Sequence, residues 1–407
     1  MSSFDEFVDE IYRRSIEALS ILENRVVKTP LLNNIFLDNI FGYKTYLKLE
    51  NLQLTGAFKI RGAVYKIHKL KNTIGLNGVV AATSGNHGLG VAYASRLYGV
   101  KAIIVMPKTA SLFKINSIRK LGAEVLIHGD YLDNAYEKAF EIASRMNYEF
   151  IHSYEDIDTI SGQATIAHEI LEIVDPKYVL VPVGGGGLIS GLSIVFKKRK
   201  PGVKIIGIEP KNCPKTYNYI KKKSGETIIK PSIADAVLVK KPGEIASRII
   251  EKYVDDIVLV EEKDIVDAIY FSLNNLKTIV EGAGALPLAS LLSNSVSIHS
   301  EPVVGVITGG NIDPLILRDI IVQKELNNRL FIIKGFVKDD ISVFNKLISV
   351  LNEYGCRLID INIDRFKTRK ELGRVYVELI VETINPSIIR DIVDRVKNNE
   401  VFLEIES

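Results

Sequence analysis

The most constraining feature of this chain is a regular alternation. Short apolar runs rich in Val and Ile stand at 45–49, 78–82, 102–106, 124–127, 178–183, 204–208, 257–260 and 303–307. Longer stretches with helical spacing separate them, at 58–70, 88–98, 111–121, 131–146, 160–174 and 265–276. The short runs are nearly continuous in apolar character. A strand reads that way when both its faces are covered, as in a parallel sheet flanked by helices. Strand-helix-strand order of this kind predicts an α/β fold with mostly parallel sheets. Eight such runs exceed what one small sheet needs, so two lobes are expected.

The pattern changes toward the C-terminus. Strands are expected at 329–337, 357–363, 374–382 and 401–405, with helices at 341–354 and 386–397. Gly355 follows the first of these helices, and Pro386 occupies the tolerated first turn of the second. The order β-α-β-β-α-β is a ferredoxin-like split unit. The polar stretch 323–329 sets the boundary between parts 1–325 and 329–407.

Composition narrows the function classes. The chain is 47% hydrophobic and 25% charged, enough for a substantial core and unlike a disordered segment. Its 52 basic and 49 acidic side chains leave a formal charge of +3, too small a field to imply nucleic-acid or membrane partners. The basic runs 197–200 and 221–223 read as solvated helix ends and loops. Two distant cysteines, Cys213 and Cys356, make no disulfide framework and fit a reducing compartment. The N-terminus is acidic and mixed, without the positive segment and apolar core of a signal peptide, and the apolar runs are too short to span a bilayer. A soluble cytoplasmic protein is the expectation.

Four segments carry candidate chemistry. The run at 178–183 ends in Gly184, Gly185, Gly186 and Gly187, and a helical pattern follows from Leu188. Glycine lets amide N–H groups approach a ligand without a Cβ in the way, and a helix N-terminus adds partial positive charge; together they suit a phosphate. The plain alternative is a flexible turn. The spacing is neither a dinucleotide fingerprint nor a nucleoside-triphosphate loop. Thr83-Ser84-Gly85-Asn86-His87-Gly88 follows another strand and opens a helix. It suits a carboxylate, and Ser84 or Asn86 could equally be a simple N-cap. Thr308-Gly309-Gly310-Asn311 ends a third strand in a hydroxyl and two glycines, or is an ordinary turn. Lys59, in Thr55-Gly56-Ala57-Phe58-Lys59-Ile60-Arg61-Gly62, reads alone as a surface helix lysine. Its company of a phosphate cradle, a carboxylate loop and a strand-end hydroxyl points to a cofactor linking them.

The 53–62 segment, the 84–88 loop, the tetraglycine and the 308–311 turn, in this order and spacing, resemble fold-type II pyridoxal-phosphate enzymes. The resemblance runs from about 25 to 323 and is strongest to the threonine dehydratase (threonine ammonia-lyase) family, with serine racemase and serine dehydratase near it. The stretches 254–258 and 280–285 also resemble that branch. The unit 329–407 resembles an ACT regulatory domain, and a smaller lobe of about 79–152 is implied within the catalytic part. The resemblance implies that Lys59 holds pyridoxal 5'-phosphate covalently. It implies that Phe58 packs on the cofactor ring, Asn86 bonds its phenolic oxygen and Thr308 meets its pyridine nitrogen. Gly184, Gly185, Gly186, Gly187 and the Leu188 amide hold the phosphate; Ser84, Gly85 and His87 take the substrate carboxylate, with Lys59 and Ser84 catalytic.

The implied activity is loss of water and then ammonia from L-threonine, more weakly L-serine, giving 2-oxobutanoate at the head of isoleucine biosynthesis. Serine racemization or dehydration is the alternative within the class, and a non-catalytic amino-acid sensor the alternative outside it. A homodimer or homotetramer is implied, with an amino-acid effector, isoleucine foremost, at the ACT-like unit. The chain also departs from the family pattern. Ala57 and Thr308 stand where Ser is common, and Leu89 where Gln is usual. Relatives that bind a divalent cation use a Glu and an Asp; here Glu209 is present but Lys215 takes the Asp position, so no metal is expected and the ammonium replaces its charge. The ACT-like unit has Val337-Lys338-Asp339-Asp340-Ile341 in place of a Pro-Gly turn, which makes close backbone approach to an effector harder and leaves assembly alone as the alternative role.

Overall fold

The computed structural model describes residues 3–222, 227–240, 242–326, 328–367, 373–397 and 400–405. Met1, Ser2, Lys223 and Asn327, on which the N-terminal, basic-run and boundary readings partly fall, lie outside the described residues. Two compact units form, 1–313 and 314–407. The division precedes the Pro314–Glu325 helix; the polar stretch in the sequence marks that helix's far end.

The first unit contains strands β1 (Leu31–Leu32), β2 (Thr45–Leu49), β3 (Gly78–Ala82), β4 (Lys101–Met106), β5 (Glu124–Ile127), β6 (Glu149–Phe150), β7 (Tyr178–Pro182), β8 (Lys204–Pro210), β9 (Asp256–Val260) and β10 (Val303–Ile307). The larger sheet has the order β1-β2-β10-β7-β8-β9 and is parallel except at the short edge strand β1. The smaller sheet, β5-β4-β3-β6, is parallel throughout. β3 and β10 are buried along their whole length, which is why they read as unbroken apolar runs.

Glycines allow the helix Lys59–Ile74 to be clasped by two neighbours. A Cβ at Gly62 would lie 2.7 Å from the Thr159 carbonyl oxygen, and one at Gly162 2.7 Å from that of Arg61, so this helix meets Ile157–Leu171 backbone to backbone. On its other side a Cβ at Gly90 would lie 3.0 Å from the Lys59 carbonyl carbon. Just beyond Lys59, the buried Arg61 guanidinium forks onto Glu50 (2.8 Å from Nε and from Nη2) and onto Glu169 (2.6 Å from Nη1), while Lys48 also donates to Glu169. Two cations and two carboxylates thus neutralise one another out of water, the condition under which buried charge is tolerated. Both clasp and cluster fix the end of the helix that begins at Lys59.

The second unit has strands β11 (Leu330–Lys338), β12 (Arg357–Asp364), β13 (Arg374–Glu382) and β14 (Val401–Ile405) in the antiparallel order β12-β13-β11-β14. Helices Ile341–Glu353 and Ile388–Val396 close one face, packing Val343, Leu347, Ile389 and Ile392 on Ile333, Val377 and Leu379. The β-α-β-β-α-β order is the one read from the sequence. In the turn without glycine, the Asp340 carboxylate accepts from Ser342 N at 2.9 Å and caps the helix that follows. Among the described residues no helix is long and apolar enough to cross a membrane.

Candidate active site

Strand ends deliver the site, as open parallel sheets do. β3 runs through Thr83 and Ser84 into the helix Asn86–Tyr98; β7 runs through the tetraglycine into the helix Gly187–Arg199; β10 ends at Thr308. The 56–58 segment crosses the end of β10: Phe58 N donates to Thr308 O (3.1 Å), Gly310 N donates to Gly56 O (2.9 Å), and Ala57 bridges Gly309. Lys59 thereby opens onto the same cavity as Thr308.

That cavity is lined by Phe58, Lys59, Ser84, Asn86, His87, the four glycines, Leu188 and Thr308. Of the residues named from the sequence, Gly85 is not among its lining; its amide donates to Thr83 Oγ1 (2.9 Å), and a Cβ there would lie 2.5 Å from Lys114 Cδ. Two helix N-termini meet the cavity, and neither carries a side-chain cap. Their free N–H groups make it a site for two anionic groups rather than one. The tetraglycine is tightly built. A Cβ at Gly185 would lie 2.3 Å from the Tyr154 ring, one at Gly187 2.9 Å from Tyr154 Cα, and Gly186 has φ +96°.

Lys59 Nζ donates to Ser153 O at 3.0 Å and stands 5.0 Å from the Phe58 ring centroid. Loss of water around the ammonium lowers its pKa to about 8. His87 faces away from a carboxylate role. Its Nε2 lies 2.8 Å from Ile151 O and must donate to it; burial, with the charge of Lys59, pulls the ring down to about 3. The neutral ring then has only a lone pair at Nδ1, buried and unpartnered among the described residues, which offers nothing to an anion.

Four polar lining residues outside the candidate segments went unassigned in the sequence: Tyr136, Ser153, Tyr154 and Glu281. Glu281 is 2% exposed and its Oε1 accepts from Asn86 Nδ2 at 2.6 Å. Asn86 Oδ1 in turn accepts from Asn311 Nδ2 (2.9 Å), which also donates to Thr55 O (2.8 Å). Gly309 makes room for this chain, since a Cβ there would lie 2.3 Å from Glu281 Oε1. Among the described residues Glu281 Oε2 is buried without a partner, and burial pushes the acid up to about 7 against the pull of nearby Lys114. The stretch 280–285 held the only sequence signal for it; Tyr136, Ser153 and Tyr154 had none.

Behind the tetraglycine, Lys215 Nζ donates to Val183 O and to Glu209 Oε1, both at 2.9 Å, and Glu209 also accepts from the amides of Thr216 and Tyr217. Both side chains are buried. The ammonium occupies the space between that carboxylate and that carbonyl.

The arrangement fits pyridoxal phosphate. The uncapped glycine turn, closed to any Cβ at Gly185 and Gly187, suits the phosphate, and a lysine of depressed pKa in the same cavity suits the aldehyde. Residues 22–309 match the family described as pyridoxal-phosphate dependent enzymes. The chain is 40% identical over 380 residues to an L-threonine ammonia-lyase of Thermotoga maritima, covering 92% of this chain and 94% of that protein. The processed form of threonine deaminase isoform 2 from Solanum lycopersicum superposes with a TM-score of 0.72 at 30% identity, covering 78% of this chain and 94% of that one. Maize serine racemase superposes with a TM-score of 0.70 at 31% identity, covering 78% and 97%. With the glycine cradle and the lysine in one cavity, and this likeness over most of its length, the chain belongs to the pyridoxal-phosphate dependent enzyme family.

Proposed function

We propose that this chain is a pyridoxal-phosphate dependent L-threonine ammonia-lyase, converting L-threonine to 2-oxobutanoate and ammonia and acting more weakly on L-serine. The observation that carries the reading is the joint one: 40% identity over 92% of the chain to an enzyme of that name, with Lys59 and two uncapped helix N-termini lining one cavity.

When bound, pyridoxal phosphate supplies an aldehyde that condenses with an amine and a ring that draws off the electron pair left when a Cα proton departs. The residues then divide the work. The amides of Gly184 to Leu188 would hold the phosphate. Phe58 would pack on the cofactor's ring, Asn86, held by Glu281 and Asn311, would meet its phenolic oxygen, and Thr308 would serve its pyridine nitrogen. Thr308 would offer that nitrogen a neutral hydroxyl instead of a carboxylate, a partner that does not fix a positive charge on it. Ser84 and the amides of the Asn86–Tyr98 helix take the substrate carboxylate. Lys59, its pKa about 8, is a competent nucleophile near neutral pH and, with its amine free, would take the Cα proton. The released enamine hydrolyses to the 2-oxo acid.

Serine racemization is the second reading, favoured by Ser84 in the cavity and by the likeness to maize serine racemase. Release of 2-oxobutanoate from L-threonine, assayed beside D-serine formation from L-serine, separates the two; D-serine without 2-oxo acid would overturn the first. Lys59 in the cavity counts against a sensor without catalysis. The finer reading adds a place at the head of isoleucine synthesis and a cytoplasmic location, the latter supported by two free cysteines. It also adds a homodimer or homotetramer, supported by exposed Ile359, Ile361 and Ile363 on the edge strand β12, and an amino-acid effector at the second unit. No metal is assigned: Lys215 supplies the positive charge beside Glu209.

A further inference from the structure

The substrate's amine, carboxylate and cofactor contacts have partners in this reading, but its side-chain hydroxyl has none. Two hydroxyls in the cavity remain unused. Tyr136, on the helix Leu132–Met146, places its OH 3.2 Å from Ser153 Oγ. Its ring is wedged among Phe140, Phe150 and His152, with centroids 6.4, 5.9 and 5.4 Å away. The Ser153 carbonyl is the group that accepts from Lys59 Nζ at 3.0 Å, and it accepts from Gln163 Nε2 at 3.3 Å as well. One residue therefore faces the reactive amine with its backbone and Tyr136 with its side chain.

Hydrogen-bond counting identifies what the pair lacks. Two hydroxyls carry two O–H donors, and the bond between them uses one. Among the described residues neither hydroxyl has a further hydrogen-bond partner, and both residues line the cavity. A donor is left over there, with lone pairs beside it. Burial keeps the phenol protonated, its pKa raised, so that it stays a donor across the working pH range. Leu132, Val237 and Val239 give the same cavity apolar lining, which a methyl group beside the hydroxyl can use. We infer that the Tyr136–Ser153 hydroxyl pair recognises the β-hydroxyl of the substrate, which makes Tyr136 a specificity-determining residue for β-hydroxy amino acids. The inference rests on the threonine ammonia-lyase reading.

The test compares L-threonine with L-2-aminobutyrate, the same carbon skeleton without the hydroxyl, on holoenzyme carrying Tyr136→Phe or Ser153→Ala. Dissociation constants come from the absorbance change of the bound cofactor, read for L-threonine on rapid mixing before turnover. Each variant should weaken L-threonine about 3- to 10-fold, the loss of one neutral hydrogen bond, and leave L-2-aminobutyrate within about twofold. Equal weakening of both ligands would show a packing role, and an unchanged L-threonine constant would show no contact; either result overturns the inference. Binding is read apart from turnover. Failure of the wild type to release 2-oxobutanoate would therefore strike the parent reading alone, and the binding comparison would still decide the role of the pair.

Discussion

Glu281→Gln removes a titration while keeping the size of the side chain and an acceptor for Asn86 Nδ2. In the folded chain the acid stands at about 7 instead of 4.5, chiefly because burial strips its charge of water; Asp235 adds to the rise, and Lys114 and the bond from Asn86 oppose it. That displacement corresponds to about 3 kcal/mol. Below pH 4.5 the acid is protonated in both folded and unfolded chains, and its contribution to stability is complete. Between 4.5 and 7 the unfolded chain gives up the proton and the folded chain keeps it, so stability falls as pH rises. Above 7 the loss is complete and the curve is flat. The glutamine variant has a constant offset and none of this slope. For a unit of 313 residues the entropy of unfolding is about 0.7 kcal/mol/K, so 3 kcal/mol amounts to ~5 °C in Tm. The assay is thermal unfolding of cofactor-free protein, wild type beside variant, from pH 4.5 to 8.5. The variant should gain on the wild type by about 5 °C across that range, with most of the change below pH 7. A difference in Tm that does not vary with pH would refute the reasoning.

Other perturbations test the cradle and its support. Gly185→Ala places a methyl 2.3 Å from the Tyr154 ring, so the loop must shift; cofactor affinity, followed by absorbance, should fall by roughly tenfold or more. Lys215→Met leaves Glu209 buried without its counter-ion and should lower stability by about 3–5 kcal/mol in denaturant unfolding, whereas chelators and added divalent cations should leave the wild type unchanged. Stoichiometric metal in the purified wild type would contradict that assignment. For the second unit, L-threonine kinetics should respond to L-isoleucine; kinetics unchanged over a wide isoleucine range would leave that unit with assembly alone.

How much was legible depended on whether a residue's role is set locally. β3 and β10 could be read to their ends because a strand covered on both faces shows as a bounded apolar run. The tetraglycine could be read because close backbone approach excludes other residues, and Gly185 and Gly187 bear this out against Tyr154. The helix Gly282–Leu292 was missed: it opens Gly-Ala-Gly, contains Pro287 and lies wholly buried through Leu291, so tertiary packing overrides weak local propensity. The helix Ser3–Leu22 was missed despite a usable signal, since Val8, Ile11, Ser15, Ala18 and Leu22 recur at helical spacing and are buried. His87 was given a carboxylate role because its loop pointed there; its partner, Ile151 O, lies 64 residues away and is invisible to local reading. Glu281 and Tyr136 are of the same kind. An acid becomes reluctant to ionise, or a hydroxyl becomes spare, only through what distant segments bring against it.

The central claim is that Lys59 is the cofactor lysine, and borohydride tests it directly. Reduction of the enzyme incubated with pyridoxal phosphate fixes the Schiff base as a stable secondary amine, and peptide mass mapping locates it. The account predicts one phosphopyridoxyl group per chain, on Lys59, with 2-oxobutanoate release from L-threonine abolished in step with its formation. Modification centred on any other lysine, or full activity retained after Lys59 is modified, would contradict it.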